Sequence, residues 1–436
     1  MDISVIGVGY VGLITGACFA ELGNRVVCVD VIREKVDKIN RGESPIHEIG
    51  LEELLEKHIG KNLKATTDLE SAVLESDITF ICVGTPEAPD GGIDLKHVKS
   101  ASKEIGRALA KKKNYHVVVD KSTVVPGTTD SVILPIIERE SKKRAGRDFG
   151  VAMNPEFLRE GLAVEDFMRP DRVVIGSMDK RSGDKVEELY KSFDCPILRT
   201  DLRTAEMIKY AANAFLATKI SFINEIANIC EKVGTDVVDV ARGIGLDSRI
   251  SPRFLNAGVG YGGSCFPKDV KAIYRMGEKE GYKAELLMAV MEINKRQVLH
   301  ALEVLKEKLG GVGGKKVAVI GLAFKPGTDD LREAPSIKII RELLKDGAVV
   351  SACDPAAIEN TRKILGDRIS YSSSLEECLD GTEAAVIVTE WPEYIVEPEV
   401  FRKKMNGNVV IDGRRILDPV KAKSAGLDYF GIGYGK

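Results

Sequence analysis

The sequence predicts an α/β chain in which two doubly wound, Rossmann-like domains are joined by a helical connector. Three observations carry that expectation. Short β-branched apolar runs alternate with helical stretches in both halves of the chain, the pattern of parallel sheets with covering helices. A long stretch of helical periodicity separates the two alternations. The glycine run Gly310-Gly311-Val312-Gly313-Gly314 then marks where the second one restarts.

The first alternation opens at once. Residues 1–6 form an apolar run, Gly7-Val8-Gly9-Tyr10-Val11-Gly12 follows, 13–22 reads as a small-residue helix, and Gly23-Asn24 ends it. A second strand over 25–29 closes on Asp30, eighteen residues past Gly12. This is the dinucleotide fingerprint in its required context of strand, tight turn, helix and strand. Gly7 permits the turn, Gly9 lets backbone approach a pyrophosphate, and Gly12 lets helix and strand pack closely. The helix amino terminus offers unpaired N–H groups to the phosphates. Asp30 would accept from a ribose hydroxyl and repel a 2′-phosphate, so the expected cofactor is NAD. Arg33 could favour NADP instead, or stand as a helix-surface charge beside Asp30. Further strands over 78–83 and 116–120 end in Gly84-Thr85-Pro86 and Lys121-Ser122-Thr123. Thr85 and Thr123 thus fall where an open parallel sheet binds ligands, although each could equally be a helix cap.

The connector is a helix over 200–232, with Ile208, Ala212, Phe215, Ile223, Ile226 and Ile229 at helical spacing. Lys209 and Asn213 project from one face of it. They read as a solvated lysine with a helix-internal asparagine, or as a polar pair with a job, since asparagine is a poor helix former. A second helix over 284–309 reaches the glycine run. Beyond it, strands over 316–320, 348–353, 384–388 and 409–411 and a helix over 336–344 predict another α/β domain. Only Gly321 repeats the first fingerprint, so a different nucleotide is expected there. The expected boundaries are 1–199, 200–310 and 315–436.

Composition narrows the function classes. A net charge of −3 over 436 residues gives no reason to expect nucleic acid or an anionic membrane as partner. No stretch of about eighteen uninterrupted apolar residues occurs, so no membrane span is expected. The strand beginning at the first residues leaves no room for a signal peptide. Eight cysteines form no CxxC pair and no metal-ligand spacing, so no metal is expected and a reducing cytoplasm is the simple location.

One cysteine differs from the rest. Cys265 stands in Gly258-Val259-Gly260-Tyr261-Gly262-Gly263-Ser264-Cys265-Phe266-Pro267-Lys268-Asp269, on a glycine-rich turn beside a cation and a carboxylate. Backbone there can approach a ligand, and charge can tune a thiolate. Alone, the turn fits a redox-sensitive thiol as well as a nucleophile.

Over essentially its whole length the chain resembles the nucleotide-sugar 6-dehydrogenases, the UDP-glucose and GDP-mannose dehydrogenases. The carrying motifs are Gly7 to Gly12, Gly84-Thr85-Pro86, Asn154-Pro155-Glu156-Phe157-Leu158-Arg159-Glu160-Gly161, Gly262 to Asp269, and Phe324-Lys325-Pro326-Gly327-Thr328-Asp329-Asp330-Leu331-Arg332. Within the family, 160–172 and 259–262 look more like the UDP-glucose branch than the GDP-mannose branch. The UDP-N-acetylmannosamine branch usually departs from the intact 154–158 motif.

The resemblance implies oxidation of a sugar C6 alcohol to a carboxylate with two NAD. Cys265 would be the nucleophile, Lys209 and Asn213 oxyanion stabilisers, Asp269 an aid to proton transfer, and Thr123 the residue positioning the attacking water. Glu156 and Glu160 are acid–base candidates, Glu156 for thioester hydrolysis, and the first general base stays open. The dinucleotide would meet Gly7, Gly9, Val11, Gly12, Asp30, Lys35, Thr85, Thr123, Glu160, Lys268 and Arg332. Lys35 and Arg332 are, taken singly, ordinary surface charges. The UDP-sugar would meet Glu156, Phe157, Leu158, Arg159, Glu160, Lys209, Asn213, Phe254, Leu255, Asn256, Ala257, Gly258, Gly262, Lys325 and Arg414. Arg249 matches an arginine that the family offers from a neighbouring subunit, and Asn256 replaces a lysine found in relatives. The apolar connector helix implies a homodimer or larger homo-oligomer, or else burial within one chain. Two other classes remain: a two-electron nucleotide-sugar oxidoreductase that releases aldehyde, and a non-catalytic NAD or nucleotide-sugar sensor.

Overall fold

The structure, a computed structural model, describes residues 1–436 and divides into two units, Met1–Ala212 and Asn213–Lys436. The first unit is built on eight strands: β1 (Asp2–Ile6), β2 (Arg25–Val29), β3 (Leu63–Thr66), β4 (Ile78–Ile81), β5 (His116–Asp120), β6 (Phe149–Met153), β7 (Val173–Ser177) and β8 (Ile197–Thr200). They lie in the order β3-β2-β1-β4-β5-β6-β7-β8, parallel except that β7 meets β6 antiparallel. The order reverses between β1 and β4, which places the ends of β1, β4 and β5 at the sheet's switch point.

The continuous apolar strands exist because both sheet faces are covered. On β5, Val117 and Val119 join the core on the face of α1 (Tyr10–Glu21), while Val118 joins the opposite core with Ile6, Ile81 and Ile105. Helix α1 begins three residues before the expected start. Gly9 is its N-cap, so the fingerprint's Val11 and Gly12 already lie in its first turn.

The second unit repeats the plan with six parallel strands: β9 (Lys316–Ile320), β10 (Val349–Cys353), β11 (Ser370–Ser372), β12 (Ala384–Ile387), β13 (Val409–Asp412) and β14 (Asp428–Gly431), ordered β11-β10-β9-β12-β13-β14. Gly321 stands to β9 and Cys353 as Gly7 stands to β1 and Val29: each glycine N–H donates to the neighbouring strand's last carbonyl, at 2.9 and 2.7 Å. The connector is α2 (Leu202–Val233), which passes from the first unit into the second between Ala212 and Asn213. Helices α3 (Phe266–Lys279) and α4 (Glu285–Leu309) follow in the second unit. No helix is long and apolar enough to cross a membrane.

At the amino end of the first sheet lies a buried polar chain. His116 Nδ1 faces the Ser76 carbonyl at 3.1 Å and so carries the proton, which leaves Nε2 to accept from Thr79 Oγ1 at 2.7 Å. Thr79 in turn accepts from Ser4 at 2.7 Å. Burial holds the imidazole neutral and pushes its pKa down to about 3. A folded-state value below the unfolded one means the contribution is complete above about pH 6.5 and declines as pH falls toward the folded value. Between pH 7 and pH 5 the wild type should therefore lose about 2 kcal/mol more stability than His116→Asn. Urea midpoints at the two pH values check this, and parallel declines would contradict it.

Candidate active site

The cradle after β1 is shaped by close packing. Gly7 adopts φ +96°, and a Cβ there would lie 2.8 Å from the Cys82 carbonyl oxygen. At Gly12 a Cβ would collide with the Gly7 carbonyl oxygen at 1.8 Å, so only glycine lets α1 sit this close to the turn. Nothing stands within 4 Å of the corresponding point at Gly9, which leaves its face open. The first turn of α1 has no capping side chain and no carboxylate, an arrangement that favours an anion at its N–H groups. Asp30 accepts from Val8 N–H and Ile32 N–H, each at 2.9 Å, and keeps lone pairs for further donors. These features fit the pyrophosphate and ribose of NAD. Arg33 is a surface charge, paired with Asp37 at 3.1 Å and exposed. Val11 and Lys35 are half-buried nearby along the chain.

Beyond β4 and β5 stand the half-buried Thr85 and Thr123. Neither caps a helix. After β6, the loop from Asn154 to Gly161 is anchored along its length. Glu156 Oε1 lies 2.9 Å from Lys209 Nζ on α2, with the two side chains 6% and 3% exposed. Burial alone would raise the Glu156 carboxyl, but the Lys209 ammonium, helped by the Leu158 N–H, outweighs it and holds the group below its usual range. Phe157 lies under the Arg172 guanidinium at 3.7 Å, and the exposed Arg159 pairs with Asp166 at 2.6 Å. The Gly161 N–H, just past Glu160, donates to Tyr10 Oη at 2.8 Å and to Glu48 Oε2 at 2.6 Å, tying the loop to the fingerprint helix. Lys121 is buried too. Its Nζ donates to Asn154 Oδ1 at 2.9 Å, and burial pulls its pKa down to about 8.

In the second unit Cys265 is the N-cap of α3, not merely a residue of a glycine turn. Pro267 in the first helical turn was the sequence signal for that start. A helix amino terminus favours the thiolate. Among the other cysteines, burial pushes Cys18 and Cys28 up to about 12, as expected of inert core thiols. Asp269, 1% exposed, accepts from Asn213 Nδ2 at 2.7 Å and from Lys268 Nζ at 2.6 Å. Lys268 thus spends one of its three donors on this carboxylate. At the glycines of this segment the side that a Cβ would occupy is filled by the chain itself. A Cβ at Gly262 would meet the Glu333 carbonyl oxygen at 2.5 Å, one at Gly263 the Phe324 ring at 2.8 Å, and one at Gly258 the Gly413 carbonyl oxygen at 2.6 Å. These contacts set Gly258 against the Gly413–Arg414 segment, and Gly262 and Gly263 against the Phe324–Ala334 segment. Ser251, Phe254 and Glu333 adopt positive φ, backbone strain of the kind found at binding sites. Leu255 and Ala257 are buried, whereas Asn256 is exposed. Arg249 stands apart, 87% exposed and paired only with Asp247 of its own turn at 2.6 Å. Arg332 is also exposed, with Asp330 at 2.7 Å.

The second sheet's counterpart of Asp30 is Asp354, and it is fully engaged. It accepts from the N–H groups of Leu322, Ala323, Ala356 and Ala357 and from Trp391 Nε1, at 2.7 to 3.0 Å. With five donors on its two oxygens, Asp354 is spent inside the unit, unlike Asp30.

Comparison with known proteins agrees with this division. Residues 1–194 match the NAD binding domain of the UDP-glucose/GDP-mannose dehydrogenase family, 203–296 its central domain and 318–419 its UDP binding domain. The chain belongs to the UDP-glucose/GDP-mannose dehydrogenase family. Its family relatives include the UDP-glucose 6-dehydrogenase TuaD of Bacillus subtilis, 47% identical over 434 residues, with 99% of this chain and 93% of the relative covered. The structure is similar to a UDP-glucose dehydrogenase from Pyrobaculum islandicum, with a TM-score of 0.93, 42% identity, and 100% and 98% of the two chains covered. It is also similar to a UDP-D-ManNAc dehydrogenase from Pyrococcus horikoshii, with a TM-score of 0.89, 30% identity and both chains wholly covered.

The buried Lys209–Glu156 pair makes a stability claim on this family site. Removing one partner leaves an uncompensated charge, a cost of about 3–5 kcal/mol. Glu156→Ala should unfold at clearly lower urea than the double variant Lys209→Met, Glu156→Gln, in which neither charge is buried. Equal midpoints would contradict the pairing.

Proposed function

We propose that this chain is an NAD-dependent UDP-glucose 6-dehydrogenase, forming UDP-glucuronate through a covalent intermediate on Cys265. The observation that carries the reading is a half-buried cysteine at a helix amino terminus, one turn from the Asp269–Asn213 pair, in a chain of this family. Bound NAD supplies the hydride acceptor, once for each of two oxidations. The chain's own residues do the rest. The C6 alcohol is first oxidised to an aldehyde with loss of a proton. The Cys265 thiolate then adds to the aldehyde carbon, and Lys209 and Asn213 stabilise the resulting oxyanion as donors. Loss of the second hydride from that thiohemiacetal leaves a thioester. Water placed by Thr123, with Glu156 as base, cleaves it to the carboxylate and returns the thiol. Asp269 manages the proton beside Asn213.

In this reading Gly7, Gly9, Val11, Gly12, Asp30, Lys35, Thr85, Thr123, Glu160, Lys268 and Arg332 serve the dinucleotide. The segments 156–160 and 254–258, with Gly262, Lys325 and Arg414, serve the UDP-sugar. Residues 1–199 bind NAD, 200–310 connect and dimerise, and 315–436 hold UDP. Phe215, Phe222 and Ile229 support a homodimer, because they recur every seven residues on α2 and are 65%, 49% and 52% exposed. The exposed Arg249 suits donation to a partner subunit's sugar site. Eight free cysteines suit a reducing cytoplasm.

The intact 154–158 motif favours UDP-glucose over UDP-N-acetylmannosamine. NADH production should be fast with UDP-glucose and at least about a hundredfold slower with UDP-N-acetylmannosamine, UDP-galactose or GDP-mannose, since a site's buried polar groups reject a misfit hydroxyl by such factors. Cys265→Ser should bind both ligands yet form no UDP-glucuronate. Rapid turnover of GDP-mannose alone would overturn the substrate, and full turnover by Cys265→Ser would overturn the mechanism.

A further inference from the structure

A carboxylate that the chemistry above does not use lies under the Thr123 segment. Glu206 is on α2 and wholly buried. Its Oε1 accepts from the Thr129 N–H at 2.8 Å and from the Thr129 hydroxyl at 2.6 Å, and its Oε2 accepts from the Gly127 N–H at 2.6 Å. All three donors belong to the stretch that leaves β5 through Thr123. They sit where it turns at Gly127, φ +91°, and enters a π-helical turn, Thr129–Ile133. The first N–H groups of such a turn lack intrahelical partners, and here a side chain from a distant helix supplies the acceptors. Glu206 also precedes Lys209 by three residues and Asn213 by seven, so all three lie on one stripe of α2.

We propose that Glu206 is a positioning residue: its carboxylate fastens the Thr123 segment to the helix that carries Lys209 and Asn213, and so sets where Thr123 stands. The inference rests on the reading that Thr123 places the water for thioester hydrolysis. A carboxylate is required because only it presents two acceptor oxygens and no donor. Glutamine would turn an NH2 group against one of the two backbone N–H groups. Asp120, the last residue of β5, lies on the other side of Thr129 Oγ1 at 3.5 Å and turns the Ser122 N–H at 3.0 Å. The segment is thereby held from both its own strand and α2. At the surface Arg203 pairs with Asp130 at 2.6 Å, a solvated contact that cannot replace the buried one.

The test follows Glu206→Gln and the milder Thr129→Val, which removes only the hydroxyl donor and keeps the chain's volume. Amide exchange over 127–133 should speed up in Glu206→Gln whether or not the enzyme turns over. Its kcat with UDP-glucose should drop about tenfold or more with KM little changed, as expected for a displaced reacting group. Intact mass measured during turnover should show the sugar-acyl adduct on Cys265 accumulating, with a smaller rise in Thr129→Val. Unchanged exchange over 127–133 overturns the clamp. A fall in kcat without adduct accumulation in either variant overturns the positioning role and leaves a purely structural carboxylate. If Glu206→Gln does not fold, Thr129→Val decides by the same two readings. Wild-type protein that makes no NADH from UDP-glucose would instead count against the functional reading, while the exchange result still judges the clamp.

Discussion

An ammonium group with 3% exposure must be answered within the protein, and the partner that answers Lys209 is Glu156. Much of the first unit's site is arranged around that requirement. The pair draws the loop after β6 onto α2, and the same carboxylate turns the Leu158 N–H at 2.6 Å, which shapes the segment that follows. Lys121, Asn154 and Tyr190 form a second buried polar layer beside it, with Tyr190 Oη donating to Asn154 Oδ1 at 2.6 Å. The pair thereby holds the Lys209 ammonium in one place inside the protein. Stability alone does not account for the arrangement, since a hydrophobic pair of the same volume could serve as well.

The two sheets show how one architecture is turned to two uses. Both have the same strand order through six strands, and both bring a glycine N–H to the end of the neighbouring strand. Both end the fifth strand of that order with a buried aspartate that turns the N–H two residues on, Asp120 to Ser122 at 3.0 Å and Asp412 to Arg414 at 3.1 Å. Burial raises both carboxyls. The difference lies at the second strand. Asp30 keeps acceptor capacity toward a ligand, whereas Asp354 is saturated by four backbone donors and an indole. What the carboxylate touches, together with the missing fingerprint glycines, separates the dinucleotide unit from its companion.

Much of this was legible in the sequence, and the limits have physical causes. Strands buried on both faces read as unbroken β-branched runs, so 25–29, 116–120 and 316–320 match the observed strands residue for residue. The fingerprint announced its own glycine packing. Other features depend on partners far along the chain and leave no local trace. Lys209 read as a solvated lysine or a functional one, and only the distant Glu156 shows it to be buried. Glu206 meets Thr129 across 77 residues. The antiparallel step at β7 and the short edge strand β14 carry no periodicity long enough to mark them. At Gly262 and Gly263 the sequence showed that a glycine was needed but not that Glu333 and Phe324 pack against it.

On the proposed mechanism, Cys265 turns an alcohol dehydrogenase into an acid-forming enzyme. Counting electrons tests it most directly. With limiting UDP-glucose and excess NAD, absorbance at 340 nm run to completion gives the NADH formed per sugar consumed. Two NADH per sugar, with UDP-glucuronate as the product, is the result this account predicts. One NADH per sugar, with free UDP-hexodialdose released, would contradict it.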